Sequence, residues 1–72
     1  MELANFVKER RKAVKLTQPE LAEKAGVGLR FVRELEHGKK SLRLDKVNQV
    51  LQLFGYTVGA VPQSDVRSAT TD

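Results

Sequence analysis

Cysteine is absent from this 72-residue chain, so neither a disulfide framework nor a thiolate metal site can staple it. Tryptophan is absent too, and one tyrosine and three phenylalanines leave few large rings for a core. A domain this short lies near the lower size limit for self-sufficient burial. Its stability must come from helix packing, with oligomerisation as a natural supplement. The single histidine, His37, has no thiol or carboxylate cluster around it at metal-ligand spacing. It stands where a helix should end and suits the dipole there. No apolar run is long enough to cross a bilayer. The start, MELANFVKER, lacks the charged-then-apolar order of a secretory signal. A cytoplasmic protein with no membrane partner is therefore expected. GVG at 26–28 is too short, and in the wrong context, for a phosphate-binding loop. No catalytic residues, no metal, no cofactor and no small-molecule substrate are expected, and the chain does not read as an enzyme.

Charge is missing from one stretch and concentrated in another. Residues 47–61 carry none, whereas residues 1–46 carry twelve Lys or Arg against seven Asp or Glu. A basic half within a chain of net charge +4 and pI near 9.8 fits an anionic partner, most economically nucleic acid. Charge alone weighs that partner evenly against an ordinary solvated surface.

Within the basic half, LTQPELAEKAGVGLRFVRELEHGK at 16–39 reads as a short helix, a tight turn and a second short helix. Thr17 and Glu20 form a T-x-x-E capping box, and Pro19 sits in the first turn, where a missing N–H costs nothing. Leu21, Ala22 and Ala25 repeat at helical spacing until Gly26 provides a terminator. Val27, Val32 and Leu35 mark the inner face of the second helix, which Gly38 ends. Such a unit places its second helix in the major groove of DNA.

Helices are expected at about 3–14, 18–25, 29–37 and 44–54. Leu3, Phe6, Val7, Val14 and Leu16 supply the first stripe, and Leu44, Val47, Val50, Leu51 and Phe54 the fourth. Lys15 falls where the chain reverses and a glycine would be usual, so its backbone is expected to be strained. After Gly55 the period changes: residues 56–61, YTVGAV, read as a short strand. A lone strand needs a partner for its backbone groups. Pairing with its own mate about a two-fold axis is the simplest solution, against a loosely ordered arm packed on the fourth helix. Val50, Phe54, Tyr56, Thr57, Val58 and Ala60 are the dimerisation candidates. Residues 1–61 thus form one domain, and the small polar residues 62–72 a disordered tail.

On the outer side of the third helix, Leu29, Arg30, Arg33 and Glu34 fall away from Val32 and Leu35. Arginine can grip guanine O6 and N7, glutamate can accept from cytosine N4, and Leu29 can touch a thymine methyl. Gly28 completes the base-readout set at the helix start. Against this stands a plain solvated helix with an Arg30–Glu34 pair at i,i+4. Gln18 at the start of the second helix, Lys39 and Lys40 in the following loop, and Arg43 before the fourth helix are candidates for phosphate contacts.

L-T-Q-x-E-L-A-x-K-A-G-V followed by F-V-R-E-L-E-H-G-K resembles the XRE-type helix–turn–helix proteins, the family of phage Cro and lambda-like repressors. The resemblance spans residues 3–55. It implies a mostly α, four-helix fold, with the residues matching Gln18, Leu29, Arg30 and Glu34 facing double-stranded operator DNA. It also implies a partly buried structural ion pair, here Arg11 with Glu36. R-L-D-K-V through L-F-G-Y-T-V, with a strand in place of a fifth helix, is similar to the HipB-type antitoxins. In those the strand pairs across a homodimer, which represses its own operon and commonly binds a HipA-like kinase toxin. Gly28 and Leu29 depart from the usual polar cap and polar reader. What the resemblance implies is a dimeric antitoxin-repressor acting at the bacterial nucleoid. A stand-alone phage-like regulator, or an antitoxin acting mainly by inhibiting its toxin, is the alternative.

Overall fold

A computed structural model describes residues 2–60, and places four helices there: α1 (Glu2–Ala13), α2 (Gln18–Ala25), α3 (Leu29–Glu36) and α4 (Leu44–Leu53). Glu2 in the first turn of α1 and Arg10, Arg11 and Lys12 in its last turn match the polarity of the helix dipole. The capping box of α2 is complete. The Glu20 N–H donates to Thr17 Oγ1 at 3.2 Å, and the Thr17 N–H donates to Glu20 Oε1 at 2.8 Å. These bonds satisfy two donors that the helix start would otherwise orphan. Backbone and hydroxyl bonds from Thr17 hold the exposed Glu20 carboxyl below its ordinary range.

All four helices end in the same way. The N–H of a residue two or three beyond the end reaches back five residues: Leu16 to Arg11 O, Val27 to Ala22 O, Lys39 to Glu34 O and Tyr56 to Leu51 O, at 2.9–3.0 Å. This motif needs a left-handed residue just past the helix. Gly26, Gly38 and Gly55 supply it with φ of 75, 81 and 83°, and Lys15 supplies it with φ 61°. The strain expected at Lys15 is thus present.

The core consists of Val7, Leu21, Ala22, Val32, Leu35, Val47, Val50 and Leu51, with Phe6, Leu16, Leu29, Phe31 and Phe54 among the half-buried side chains packed against it. Each fully buried Leu or Val is worth roughly 1.5–3 kcal/mol. α3 lies against α1 and α2, and α2 also against α4, so the core holds α3 by its inner face and leaves the outer face to solvent. Two residues of the expected stripes miss the core. Val14 is 53 % exposed because the left-handed turn begins beside it, and Leu44 is 57 % exposed at the first position of α4. Residues 56–60 form no strand within the described part of the chain; Val61 and the tail 62–72 lie outside the described residues. Among the described residues no helix is long and apolar enough to cross a membrane.

Candidate nucleic-acid interface

Arg11, Gln18 and Glu36 come from three different helices and meet at one buried point. The Arg11 guanidinium grips Glu36 as a fork, Nε to Oε2 at 2.7 Å and Nη2 to Oε1 at 3.0 Å, and its Nη1 donates to Leu16 O at 2.8 Å. Gln18 Nε2 donates to the same Glu36 Oε1 at 3.0 Å. Only 4 % of Glu36 is exposed. Burial by itself raises its carboxyl pKa, but the bonds from Arg11 and Gln18 outweigh that and hold it below the usual range. Arg11 is in turn raised, chiefly by its hydrogen bond to Glu36. Together these bonds fix the last turn of α3 to the end of α1 and the start of α2, which sets how α3 stands out from the body. Gln18 is therefore part of this network as well as a candidate phosphate contact.

The outer face of α3 carries the proposed readers. Arg30 projects with 91 % of its side chain exposed, and its Nε lies 3.3 Å from Glu34 Oε2. Lys39 Nζ approaches the same oxygen at 3.4 Å. A surface pair of this kind contributes about 0–1 kcal/mol, so a base edge can displace it at little cost. Arg33 is exposed and has no acidic partner among the described residues. Leu29 is half-buried and packs against the core. Its apolar character at the start of α3 therefore has a structural reason, besides any contact with DNA. Gly28 precedes α3 with φ −76° and no side-chain cap, and a Cβ there would meet nothing within 4 Å. The backbone at this point is open to close approach by another molecule.

Lys40 is exposed in the loop after α3, with no ion-pair partner among the described residues. Arg43 is engaged with Asp45, Nη2 to Oδ2 at 2.7 Å and Nε to Oδ1 at 3.2 Å. Its hydrogen bonds hold the Asp45 carboxyl below its ordinary range. Arg43 is thus partly neutralised locally. A shallow concavity between α3 and the following loop brings Arg30 and Arg43 together with Ser41 and Lys46. Lys46 was not among the expected contacts. Its position three residues after Arg43, on the first turn of α4, was the signal that could have found it.

The dimerisation candidates divide. Val50 is wholly buried in the core and has no surface to offer a partner, and Phe54 is half-buried against that core. Tyr56 and Val58 are 44 % and 39 % exposed, and Thr57 and Ala60 are exposed too. This segment is tied down. The Tyr56 ring meets Phe6 edge-on at 4.8 Å, and Arg10 lies over both rings and donates to the Tyr56 hydroxyl at 3.1 Å. Asn48 Oδ1 accepts from the Val58 N–H at 2.8 Å and the Thr57 hydroxyl at 3.1 Å.

Residues 7–61 match the model of the family described as "Helix-turn-helix". The chain belongs to this helix–turn–helix family. A relative from Sinorhizobium fredii (strain NBRC 101917 / NGR234), described as an uncharacterized HTH-type transcriptional regulator, y4mF, is 41 % identical over 66 residues, covering 92 % of this chain and 87 % of its own. The XRE-type resemblance holds at the level of this family. Family and relative together place the helix–turn–helix chain among DNA-binding regulators and away from enzymes.

Proposed function

We propose that this chain is a sequence-specific transcriptional repressor that binds a pseudo-palindromic operator as a homodimer. One observation carries the reading: α3, tied to α1 and α2 through Glu36, leaves Arg30 and Arg33 exposed, with the exposed cations Lys39, Lys40 and Arg43 on the chain that follows. Arg30, Arg33 and Glu34, with Leu29 and Gly28 at the helix start, read base edges in the major groove. Gln18, Lys39, Lys40 and Arg43 set the register on phosphates. Dimerisation through residues 56–60 is supported by the backbone there. Tyr56 and Val58 turn their N–H groups inward, to Leu51 O and Asn48 Oδ1. The alternate groups of Thr57 and Gly59 have no partner among the described residues. Two copies then meet half-sites one helical turn apart, or a multiple of that.

Replacing Arg30 by alanine tests the readout. On the duplex that the protein selects from a randomised pool, Arg30→Ala is expected to lose about 1–3 kcal/mol of binding and relax preference at one base pair. Wild-type affinity and selectivity in a salt-controlled mobility shift would refute the assignment.

The finer biological role rests on the resemblance of R-L-D-K-V through L-F-G-Y-T-V to HipB-type antitoxins. On that basis the repressor is the antitoxin of a HipA-like kinase and controls their shared operon. A kinase-like reading frame beside this gene, whose product co-purifies with the chain, is the expected finding. Its absence leaves a stand-alone regulator of the phage type.

A further inference from the structure

An amide side chain has two faces, and chemistry decides which one Gln18 turns inward. Glu36 is a carboxylate buried beneath Arg11, and both its oxygens accept: Oε2 from Arg11 Nε, Oε1 from Arg11 Nη2 and from Gln18 Nε2. An ionised carboxylate has no proton to give. The Gln18 carbonyl therefore cannot face it, and the –NH2 group must. That nitrogen carries two protons, and among the described residues it has one acceptor, Glu36. One proton is thus committed and the other stays free, on a half-buried side chain at the first position of α2. Without Glu36 the amide could flip and show the oncoming phosphate a repelling carbonyl oxygen. The acceptor itself is held by the two-bond fork from Arg11, so the amide is oriented by a fixed charge.

The geometry points to Glu36 as a positioning residue for DNA binding: it holds the Gln18 amide with its second Nε2 proton available to a backbone phosphate. This deepens the proposed function and rests on its reading of Gln18 as a phosphate contact. Because Glu36 also ends α3, one carboxylate sets both the placing of the recognition helix and the donor that clamps the duplex backbone.

A double-mutant cycle tests it, using the duplex selected by the protein from a randomised pool and variants shown folded by circular dichroism. Gln18→Ala is expected to weaken binding about fivefold, the worth of one hydrogen bond. The salt slope should not change, because no cation is lost. Glu36→Gln is expected to weaken binding at least as much in the wild-type background, and about fivefold less in Gln18→Ala, where the amide that it orients is already gone. Glu36→Gln moves the net charge of +4 up by one, which alone favours DNA, so weaker binding cannot be a long-range charge effect. Equal weakening in both backgrounds would show that Glu36 acts through the fold alone, overturning the proposal and leaving the Gln18 contact standing. An unchanged affinity in Gln18→Ala would remove the contact itself, and the proposal with it. Should Glu36→Gln fail to fold, the wild-type protein gives the answer by NMR. One Gln18 Nε2 proton is expected to be shifted from free-glutamine values and protected from solvent exchange in the free protein, and the other to shift on DNA addition. Two Nε2 protons with free-glutamine shifts and exchange rates would overturn the proposal.

Discussion

Lys15, with φ 61°, is the one residue other than glycine in the left-handed region among the described residues. A Cβ there crowds the following carbonyl, at roughly 1–2 kcal/mol. The chain accepts this because the Lys15 N–H donates to Lys12 O and the Leu16 N–H to Arg11 O, both at 3.0 Å, and the Leu16 carbonyl accepts a hydrogen bond from Arg11 Nη1. Lys15→Gly keeps every one of those bonds and relieves the strain, against a larger loss of chain entropy on folding. A net gain of about 0.5–1 kcal/mol is expected, seen as a rise of roughly 2–8 °C in Tm. An unchanged or lower Tm would mean that the lysine stem contributes packing that offsets the strain. This position was legible in the sequence because terminators at 26, 38 and 55 are glycines and the fourth reversal has none. Leu29 was not legible in the same way. At the first position of a helix, exposure depends on how the preceding turn tilts it, and periodicity does not report that tilt.

Among the elements, the helix boundaries were readable to within about a residue or two, since caps and left-handed terminators are local chemistry. The Arg11–Glu36–Gln18 network was not readable from spacing. Arg11 and Glu36 lie 25 residues apart, and only the family resemblance suggested the pair; the Gln18 branch is a finding of the structure. Its energetics give the network a pH signature. Glu36 has a folded pKa below the ordinary carboxylate range, so its contribution is fully present above the unfolded pKa and is lost as pH falls through the folded one. Stability is therefore expected to be flat from pH 7 to about 5 and then to fall on the acid side. Glu20 and Asp45, also lowered, add to the same limb. Glu36→Gln should be less stable at neutral pH, because Arg11 is left buried without its charge partner. It should also show a shallower acid limb in urea melts taken at several pH values. An acid limb as steep as in the wild type would show that the exposed carboxylates carry it.

For the whole molecule, the division of charge is also a division of labour: cations gather in residues 1–46, and the uncharged residues 47–61 offer apolar surface at Tyr56 and Val58. The sequence signalled a strand there, yet a single chain cannot display strand pairing whose partner is another copy. What the chain does show is an anchored segment with inward N–H groups at 56 and 58, while those at 57 and 59 have no partner among the described residues. Proline at 59 separates the two uses of this backbone. It removes an N–H that makes no bond among the described residues, and a Cβ there meets nothing within 4 Å, so the Tm of the dissociated protomer should be unchanged. In a two-fold pair the loss counts twice, once per copy, at about 1 kcal/mol for each hydrogen bond. The dimer dissociation constant of Gly59→Pro is then expected to rise roughly 30-fold, read by sedimentation equilibrium. Affinity for a palindromic site should fall with it, because half-sites spaced by a helical turn reward only a joined pair of recognition helices. A Gly59→Pro protein that dimerises like the wild type would place the dimer contact elsewhere. The exposed apolar residues Val14 and Leu53, which with Leu16 and Phe54 line a groove between the ends of α1 and α4, would then be the surface to mutate next.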